Sequence, residues 1–346
     1  MTRSRRDCRT LGCPAVTDLL ATDMPPQKRA RVNGVELAYW EVGQRGASPP
    51  VVFCHGFPEI AFSWRHQLKA FAEAGRWAIA YDARGYGLSD RPAEVSAYTM
   101  ETLVADLLAI TRHLGAEQGI WCGHDWGGLV VWQAALMERA PTAGVIGLNT
   151  PFIPRWPVDP ITLFRQALGE DHYIVRFQEG HDSDRLFARD VERTMRFFMR
   201  LPGGGRDGFN AENGDGVGGR GLPLQKMLEA YDPARDDKQF LSPKELAVFV
   251  RAFERTGFTP GIDWYRNMTG NWERAASLEQ RVDAPALMIT AELDAALPPR
   301  LADAMPAHVA DLERHELKGV GHWSQQERPR EVSRLMLDWL DRRFPQ

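Results

Sequence analysis

The stretch that decides the fold is GIWCGHDWGGLVVWQAAL, residues 119–136. An apolar run, a glycine-rich turn and a second apolar run follow one another, which predicts a buried strand, a sharp turn and a helix. Gly-His-Asp-Trp-Gly, residues 123–127, fits the turn that presents a nucleophile at the top of a sheet, with Asp125 where a serine usually stands. An aspartate before a helix is also a common N-cap, so the pentapeptide alone leaves both interpretations open.

Strand and helix patterns alternate on both sides of this stretch. The alternation predicts an α/β fold with a mostly parallel central sheet and helices on both faces. It is interrupted by an aromatic-rich segment of helical patterns. We therefore predict four parts: a disordered N-terminal extension (1–27), the first part of the core (28–154), a helical lid (155–275) that includes a Gly-rich loop (203–221), and the second part of the core (276–346).

The composition bounds the class of protein. The chain has 346 residues, of which 44% are hydrophobic and 25% charged, and its net charge is −4. This balance gives no overall basic surface for nucleic acid, and no apolar run reaches the length of a membrane span. The four scattered cysteines favour a reducing compartment, so we expect a cytoplasmic protein with Cys54 and Cys122 buried and reduced. We expect no metal and no cofactor, and leave a homodimer open.

Two further residues complete the predicted constellation. A nucleophile turn of this type is followed along the chain by an acid and then a histidine. Asp294 comes directly after the strand pattern PALMITAELD, and His322 follows the strand pattern ERHEL in a Gly-x-Gly-His turn. Glu292 is the second choice for the acid because it lies within the end of the strand.

The segment HGFPE, residues 55–59, ends an earlier strand. In this architecture the loop at that place supplies one amide of an oxyanion hole. The backbone N–H groups of Phe57 and Trp126 are therefore the candidates for an oxyanion hole. We also expect the side chains of His55 and Trp126 to line the substrate site.

From about residue 31 onward the chain resembles the soluble epoxide hydrolases of the α/β-hydrolase fold. The resemblance rests on HGFPE, DARGYGLSD, GHDWGG, LMITAELD and GVGHWSQQERP. Two segments of the insertion, HYIVRFQEG and GIDWYRNMTGNW, are similar to the lid segments that carry the ring-opening tyrosines of that family. By this resemblance Tyr173 and Tyr265 are the acids that protonate the opening epoxide.

A carboxylate nucleophile suits this chemistry. Asp125 is ionised without the help of a base, can attack a saturated carbon, and forms an ester that water can cleave. His322 would then be the general base and Asp294 would orient it, with an apolar epoxide and water as substrates and a vicinal diol as product. A haloalkane or haloacid dehalogenase with the same aspartate is the alternative, and an inactive ligand-binding protein of the same fold is a second.

Overall fold

The computed structural model describes residues 23–46, 48–202 and 221–346. Most of the predicted N-terminal extension and all but Gly221 of the predicted Gly-rich loop lie outside these ranges.

A sheet of eight strands forms the centre of the molecule, in the order β1-β2-β4-β3-β5-β6-β7-β8. The strands β1 and β2, and β2 and β4, pair antiparallel, and all other neighbours are parallel. The strands are Lys28–Val32, Val35–Val42, Val51–Cys54, Ala78–Tyr81, Gly119–His124, Thr142–Leu148, Ala286–Ala291 and Leu312–Leu317. This confirms the predicted mostly parallel sheet.

The first strand, Lys28–Val32, was not predicted by the sequence analysis. It lies at the edge of the sheet, and its sequence KRARV contains a single buried residue, Ala30. An edge strand contacts the core with few side chains, so its sequence carries no continuous apolar signal.

The interior strands carry the signal that the sequence analysis used. All residues of β3, β5 and β7 are buried, as expected of parallel strands covered by helices on both faces. Cys54 and Cys122 lie on the adjacent strands β3 and β5, and both are buried and free. Their predicted burial is therefore confirmed.

Thirteen α-helices surround and extend the sheet in the described residues. They are Arg65–Glu73 (α1), Met100–His113 (α2), Trp126–Met137 (α3), Pro160–Leu168 (α4), Tyr173–Phe177 (α5), Asp182–Arg189 (α6), Val191–Phe198 (α7), Leu224–Ala230 (α8), Pro243–Thr256 (α9), Thr259–Arg266 (α10), Met268–Arg274 (α11), Ser324–Glu327 (α12) and Pro329–Arg343 (α13). Helices α4 to α11 all lie between β6 and β7 in the chain. They are the elements of the segment that the sequence analysis assigns to a lid.

The longest inserted helix, α9, begins as its sequence predicts. The Ser242 side chain accepts from the backbone N–H of Glu245, and the Glu245 side chain accepts from the backbone N–H of Ser242, which forms a capping box. Pro243 occupies the first helical position, where its missing N–H has no consequence. No helix within the described ranges is long and apolar enough to cross a membrane.

Candidate active site

Asp125 lies between the last residue of β5 and the first residue of α3, with φ 51° and ψ −123°. A non-glycine residue in this region costs about 1–3 kcal/mol, so the surrounding structure has to hold it there. Gly127 lets the start of α3 pack closely against the end of β3, because a Cβ at that position would lie 2.1 Å from the carbonyl oxygen of Cys54. The side chain of Asp125 makes no capping hydrogen bond to α3, so it does not serve as the helix cap that the sequence also allowed.

The Asp125 carboxylate meets the two predicted amides. The backbone N–H of Phe57 donates to Oδ1 at 2.7 Å, and the backbone N–H of Trp126 also bonds the carboxylate. Gly56 makes the close approach of the two loops possible, since a Cβ there would lie 2.4 Å from the Asp125 side chain. The structure therefore brings both candidate oxyanion-hole donors to the same carboxylate.

His322 stands between two carboxylates. Its Nδ1 lies 2.9 Å from Oδ2 of Asp294, and its Nε2 lies 3.8 Å from Oδ2 of Asp125. The side chains of His322 and Asp294 are 3% and 0% exposed, so water screens this contact little. The three predicted residues thus form one connected group, although they come from the ends of three different strands.

Asp294, and not Glu292, is the acid that contacts the histidine. The backbone N–H groups of Ala296 and Leu297 donate to its Oδ1 at 2.9 and 3.0 Å. Glu292 is exposed and accepts instead from Lys318 and from a backbone amide. The choice between the two acids is decided by the turn after β7, which directs Asp294 inward.

Burial and charge shift the pKa values of the group in different directions. Burial raises the pKa of Asp125, and this effect exceeds the opposite effect of His322. Burial lowers the pKa of His322, but the carboxylates of Asp294 and Asp125 outweigh it and raise the pKa to about 9. Burial alone would raise the pKa of Asp294, but its interactions with His322 hold that pKa below the ordinary value. The free site therefore favours an imidazolium beside the Asp294 carboxylate at neutral pH.

The two predicted tyrosines lie together above Asp125. Tyr173 begins α5 and Tyr265 lies near the end of α10, and their ring centroids are 5.8 Å apart. A hydrogen bond joins the two side chains. The side chain of Trp126 also hydrogen-bonds Tyr265, and because an indole N–H can only donate, Tyr265 is the acceptor.

Both phenols are neutral at physiological pH. Burial raises the pKa of Tyr173 and of Tyr265 above the ordinary value, and the negative charge of Asp125 raises both further. Each hydroxyl therefore keeps its proton and can donate it.

A cavity of about 950 Å³ connects these groups. Its wall includes the side chains of Asp125, Trp126, Tyr173, Tyr265 and Asp294. Most of the other lining residues are apolar, and they include Met100, Leu129, Met137, Ile153, Trp156, Leu163, Phe164, Ile174, Met268, Trp272, Leu297 and Leu301. An apolar wall with a few convergent polar groups is the usual form of a small-molecule site.

His55 is not among the residues that line this cavity, in contrast to the sequence-based expectation. Its Nδ1 lies 2.9 Å from the carbonyl oxygen of Gly56, to which it donates, because a carbonyl can only accept. Its Nε2 then accepts from the backbone N–H of Ala83 at 3.0 Å. Both ring nitrogens are used within the protein, so His55 holds the loop that carries Phe57 and does not face the substrate site.

Two supporting interactions were missed by the sequence analysis. The Asn149 side chain donates to Oδ2 of Asp294 at 2.6 Å, the same oxygen that contacts His322. His124 is fully buried between Oε2 of Glu59 at 3.0 Å and the backbone oxygen of His322 at 2.7 Å. Asn149 directly follows β6, and its position at a strand end was the signal that could have identified it.

Comparison with known proteins places the chain in a family. The α/β hydrolase fold family matches residues 49–329. Epoxide hydrolase A of Mycobacterium tuberculosis is 40% identical over 324 residues, which cover 91% of this chain and 97% of that protein. The bifunctional epoxide hydrolase 2 of Sus scrofa is 34% identical over 89% of this chain, and the chain spans about half (54%) of the length of that relative.

Solved structures give the same result. The crystal structure of epoxide hydrolase A from Mycobacterium thermoresistibile superposes with a TM-score of 0.79 at 37% identity, covering 92% of this chain and 98% of the other. An epoxide hydrolase from Vigna radiata superposes with a TM-score of 0.80 at 30% identity, covering 93% and 99% of the two chains. The chain therefore belongs to the α/β-hydrolase fold family and, within it, to the epoxide hydrolases.

Proposed function

We propose that this enzyme converts an apolar epoxide and water to a vicinal diol through an ester of Asp125. The names of its relatives support the epoxide as substrate class. The observation that carries the proposal is the pair of hydrogen-bonded, neutral phenols, Tyr173 and Tyr265, in the same cavity as Asp125. An epoxide needs both groups at once, since a nucleophile attacks its carbon while an acid protonates its oxygen.

In the first step Oδ2 of Asp125 attacks one ring carbon and the C–O bond to the ring oxygen breaks. Oδ2 is the free oxygen, because Oδ1 already accepts from the Phe57 amide. The ring oxygen takes a proton from Tyr173 or Tyr265, and the other phenol stabilises the resulting phenolate by a hydrogen bond. The product of this step is an ester whose carbonyl oxygen is Oδ1.

In the second step water attacks the ester carbonyl carbon, and His322 accepts a proton from that water. Negative charge then develops on Oδ1, which already accepts from the amide of Phe57, and the amide of Trp126 bonds the same carboxyl group. Collapse of the tetrahedral intermediate releases the second diol oxygen and restores the Asp125 carboxylate. The leaving alkoxide takes the remaining proton of the attacking water, and the proton that His322 accepted restores its imidazolium form.

Ester formation also prepares the base. The negative charge of Asp125 contributes to the raised pKa of His322 in the free enzyme. The ester is neutral, so this contribution disappears and the pKa of His322 falls once the intermediate has formed. His322 is thus protonated before ring opening, and its proton is then taken up by the phenolate that ring opening leaves. The resulting neutral imidazole can accept a proton from the attacking water.

The alternative of a dehalogenase has less support. Halide release needs an N–H donor that stabilises an anion, and Trp126, directly after Asp125, is the candidate indole. Its side chain is already bonded to Tyr265, so it is part of the tyrosine pair. An inactive binding protein is also disfavoured, because every group that the two steps need is present and connected.

The test compares two substrates on two proteins. Wild type should convert styrene oxide to its diol and release no halide from 1-bromobutane. The double variant Tyr173→Phe/Tyr265→Phe should lose diol formation by roughly 10²-fold or more, the usual effect of removing acid catalysis. Halide release without diol formation would contradict the proposal.

A further inference from the structure

Arg266 directly follows the catalytic tyrosine of α10, and its side chain is only 10% exposed. A guanidinium has five N–H groups, and here each has an acceptor within the protein. Nε donates to the carbonyl of Phe177 at 3.1 Å. One terminal nitrogen donates to Asp263 at 2.7 Å and to Asp184 at 3.2 Å, and the other to Asp184 at 2.7 Å and to the carbonyl of Gly180 at 2.6 Å.

The acceptors belong to the two elements that carry the tyrosines. Phe177 ends α5, the helix that Tyr173 begins, and Gly180 lies in the turn after it. Asp263 lies on α10 itself, and Asp184 lies on α6, which follows the turn. The guanidinium therefore joins the Tyr173 segment to the Tyr265 segment through ion pairs and backbone carbonyls.

Gln178 forms a second connection between the same segments. Its side-chain amide donates to the carbonyl of Ile174 at 3.0 Å, within α5, and to the carbonyl of Tyr265 at 3.1 Å. The second bond reaches the backbone of the catalytic tyrosine itself. Arg266 and Gln178 are called the tyrosine clasp below.

The two helices cannot fix their own relative position. Helix α5 has five residues and α10 has eight, and helices this short are marginal without tertiary contacts. Edge-to-face packing of Phe177 on Tyr173 and Tyr265 fills the space between them, but such packing sets no unique distance along the chain. The hydrogen bonds of the clasp to specific carbonyl oxygens fix this distance.

We propose that the tyrosine clasp, Arg266 and Gln178, sets the separation of the Tyr173 and Tyr265 hydroxyls so that both reach one epoxide oxygen. The two clasp residues are positioning residues for ring opening and have no part in ester hydrolysis. This inference rests on the proposed function. All five N–H groups of Arg266 are occupied, so it acts through the tyrosines and not on a ligand.

Arginine suits this place better than lysine. A lysine ammonium has three donors and no planar fork, so it cannot serve the two carbonyls and the two carboxylates together. We expect Arg266→Lys to keep the charge that Asp184 and Asp263 require while it loosens the connection to the carbonyls of Phe177 and Gly180. A displacement of about 1 Å in a reacting group can cost on the order of 10²-fold in rate.

The experiment separates the two chemical steps by rapid quenching in single turnover, with the ester followed by mass and the diol by chromatography. The variants are Arg266→Lys and the milder Gln178→Met, which keeps the volume and removes the amide donors. The matched control is Arg65→Lys. Arg65 is a buried arginine that pairs with Glu245 of the inserted helix α9 and donates to Phe62 and Gln326, so none of its acceptors belongs to the segments that carry the tyrosines.

For Arg266→Lys we expect ring opening to slow by at least about tenfold and ester hydrolysis to change by less than about twofold. Gln178→Met should show the same pattern with a smaller loss. Arg65→Lys should lower the thermal midpoint in a comparable way and leave both rates near those of wild type. Equal losses in both steps, or a control that behaves like Arg266→Lys, would overturn the clasp.

A double-mutant cycle tests whether the effect passes through the phenols. In the Tyr173→Phe/Tyr265→Phe background, Arg266→Lys should cause no further loss in ring opening, because the groups that it positions are gone. Additive losses would contradict a positioning role. If wild type forms diol but the variants behave like the control, only the clasp fails, whereas absence of diol in wild type means that the proposed function itself fails.

Discussion

The sheet and the inserted helices hold their parts of the site by different means. Asp125, Asp294 and His322 follow the strands β5, β7 and β8, whose register is fixed by backbone hydrogen bonds. Tyr173 and Tyr265 lie on two short helices that are joined by side chains. The difference teaches that the Asp125–His322–Asp294 group is held by backbone geometry, while the separation of the two tyrosines depends on side-chain contacts within the insertion.

The largest effect should come from the sheet side. Asp125→Ala removes the proposed nucleophile, and turnover should fall by about 10⁴-fold or more, since the remaining groups cannot form the ester. Diol formation measured over hours, with no ester in the mass spectrum, checks this. Asp303→Ala, a change at an exposed carboxylate, is the control and should be active.

His322→Gln should separate the two steps. Ring opening still proceeds, but water is no longer activated, so steady-state turnover should drop by roughly 10²–10⁴-fold. The protein mass should increase by the mass of one epoxide per site. His315→Gln, at a surface histidine paired with Glu313, should show neither change. An unmodified protein with slow diol formation would argue that His322 acts in ring opening.

The inserted helices should show the opposite pattern. Tyr173→Phe or Tyr265→Phe alone should slow ring opening by roughly 10- to 100-fold, because one phenol remains, and should spare ester hydrolysis. Single-turnover measurements of each step check this. Tyr231→Phe is the matched control, since the Tyr231 hydroxyl donates to Asp236 and Tyr231 does not line the cavity.

The pH dependence should also differ between the steps. Ring opening needs ionised Asp125, whose pKa is raised by burial, so its rate should fall with decreasing pH at values above the ordinary range of a carboxyl group. Ester hydrolysis needs neutral His322, so its rate should rise with pH through a midpoint below about 9, the free-enzyme value. Parallel pH profiles for the two steps would show that one group controls both.

The smallest effects on stability are expected at two helix caps, one in the sheet domain and one in the inserted helices. Ser242→Ala removes the cap of α9, and Thr99→Ala removes the cap of α2, where the Thr99 side chain accepts from the amide of Thr102. Each should lower the free energy of unfolding by about 1 kcal/mol without changing either rate. Urea unfolding monitored by circular dichroism measures this. A loss of activity in Ser242→Ala alone would indicate that the insertion opens separately from the sheet.

The sequence by itself determined the α/β fold and the chain order of the three candidate site residues, Asp125, Asp294 and His322. Buried parallel strands are continuous apolar runs, and functional residues directly follow them, so both appear as local patterns. The tyrosines required the resemblance to a family, because a tyrosine in a helical segment carries no local sign of its role. The edge strand Lys28–Val32 had no such pattern and was missed.

Only the tertiary structure decided which side chains meet. It brought Asp294 and not Glu292 to His322, added Asn149 to the acid, and directed His55 into the protein. It also showed that Arg266, one of many arginines in the sequence, has only 10% of its side chain exposed and all its donors occupied. These outcomes depend on turn geometry and on contacts between distant segments, and neither is encoded in the periodicity of any one stretch.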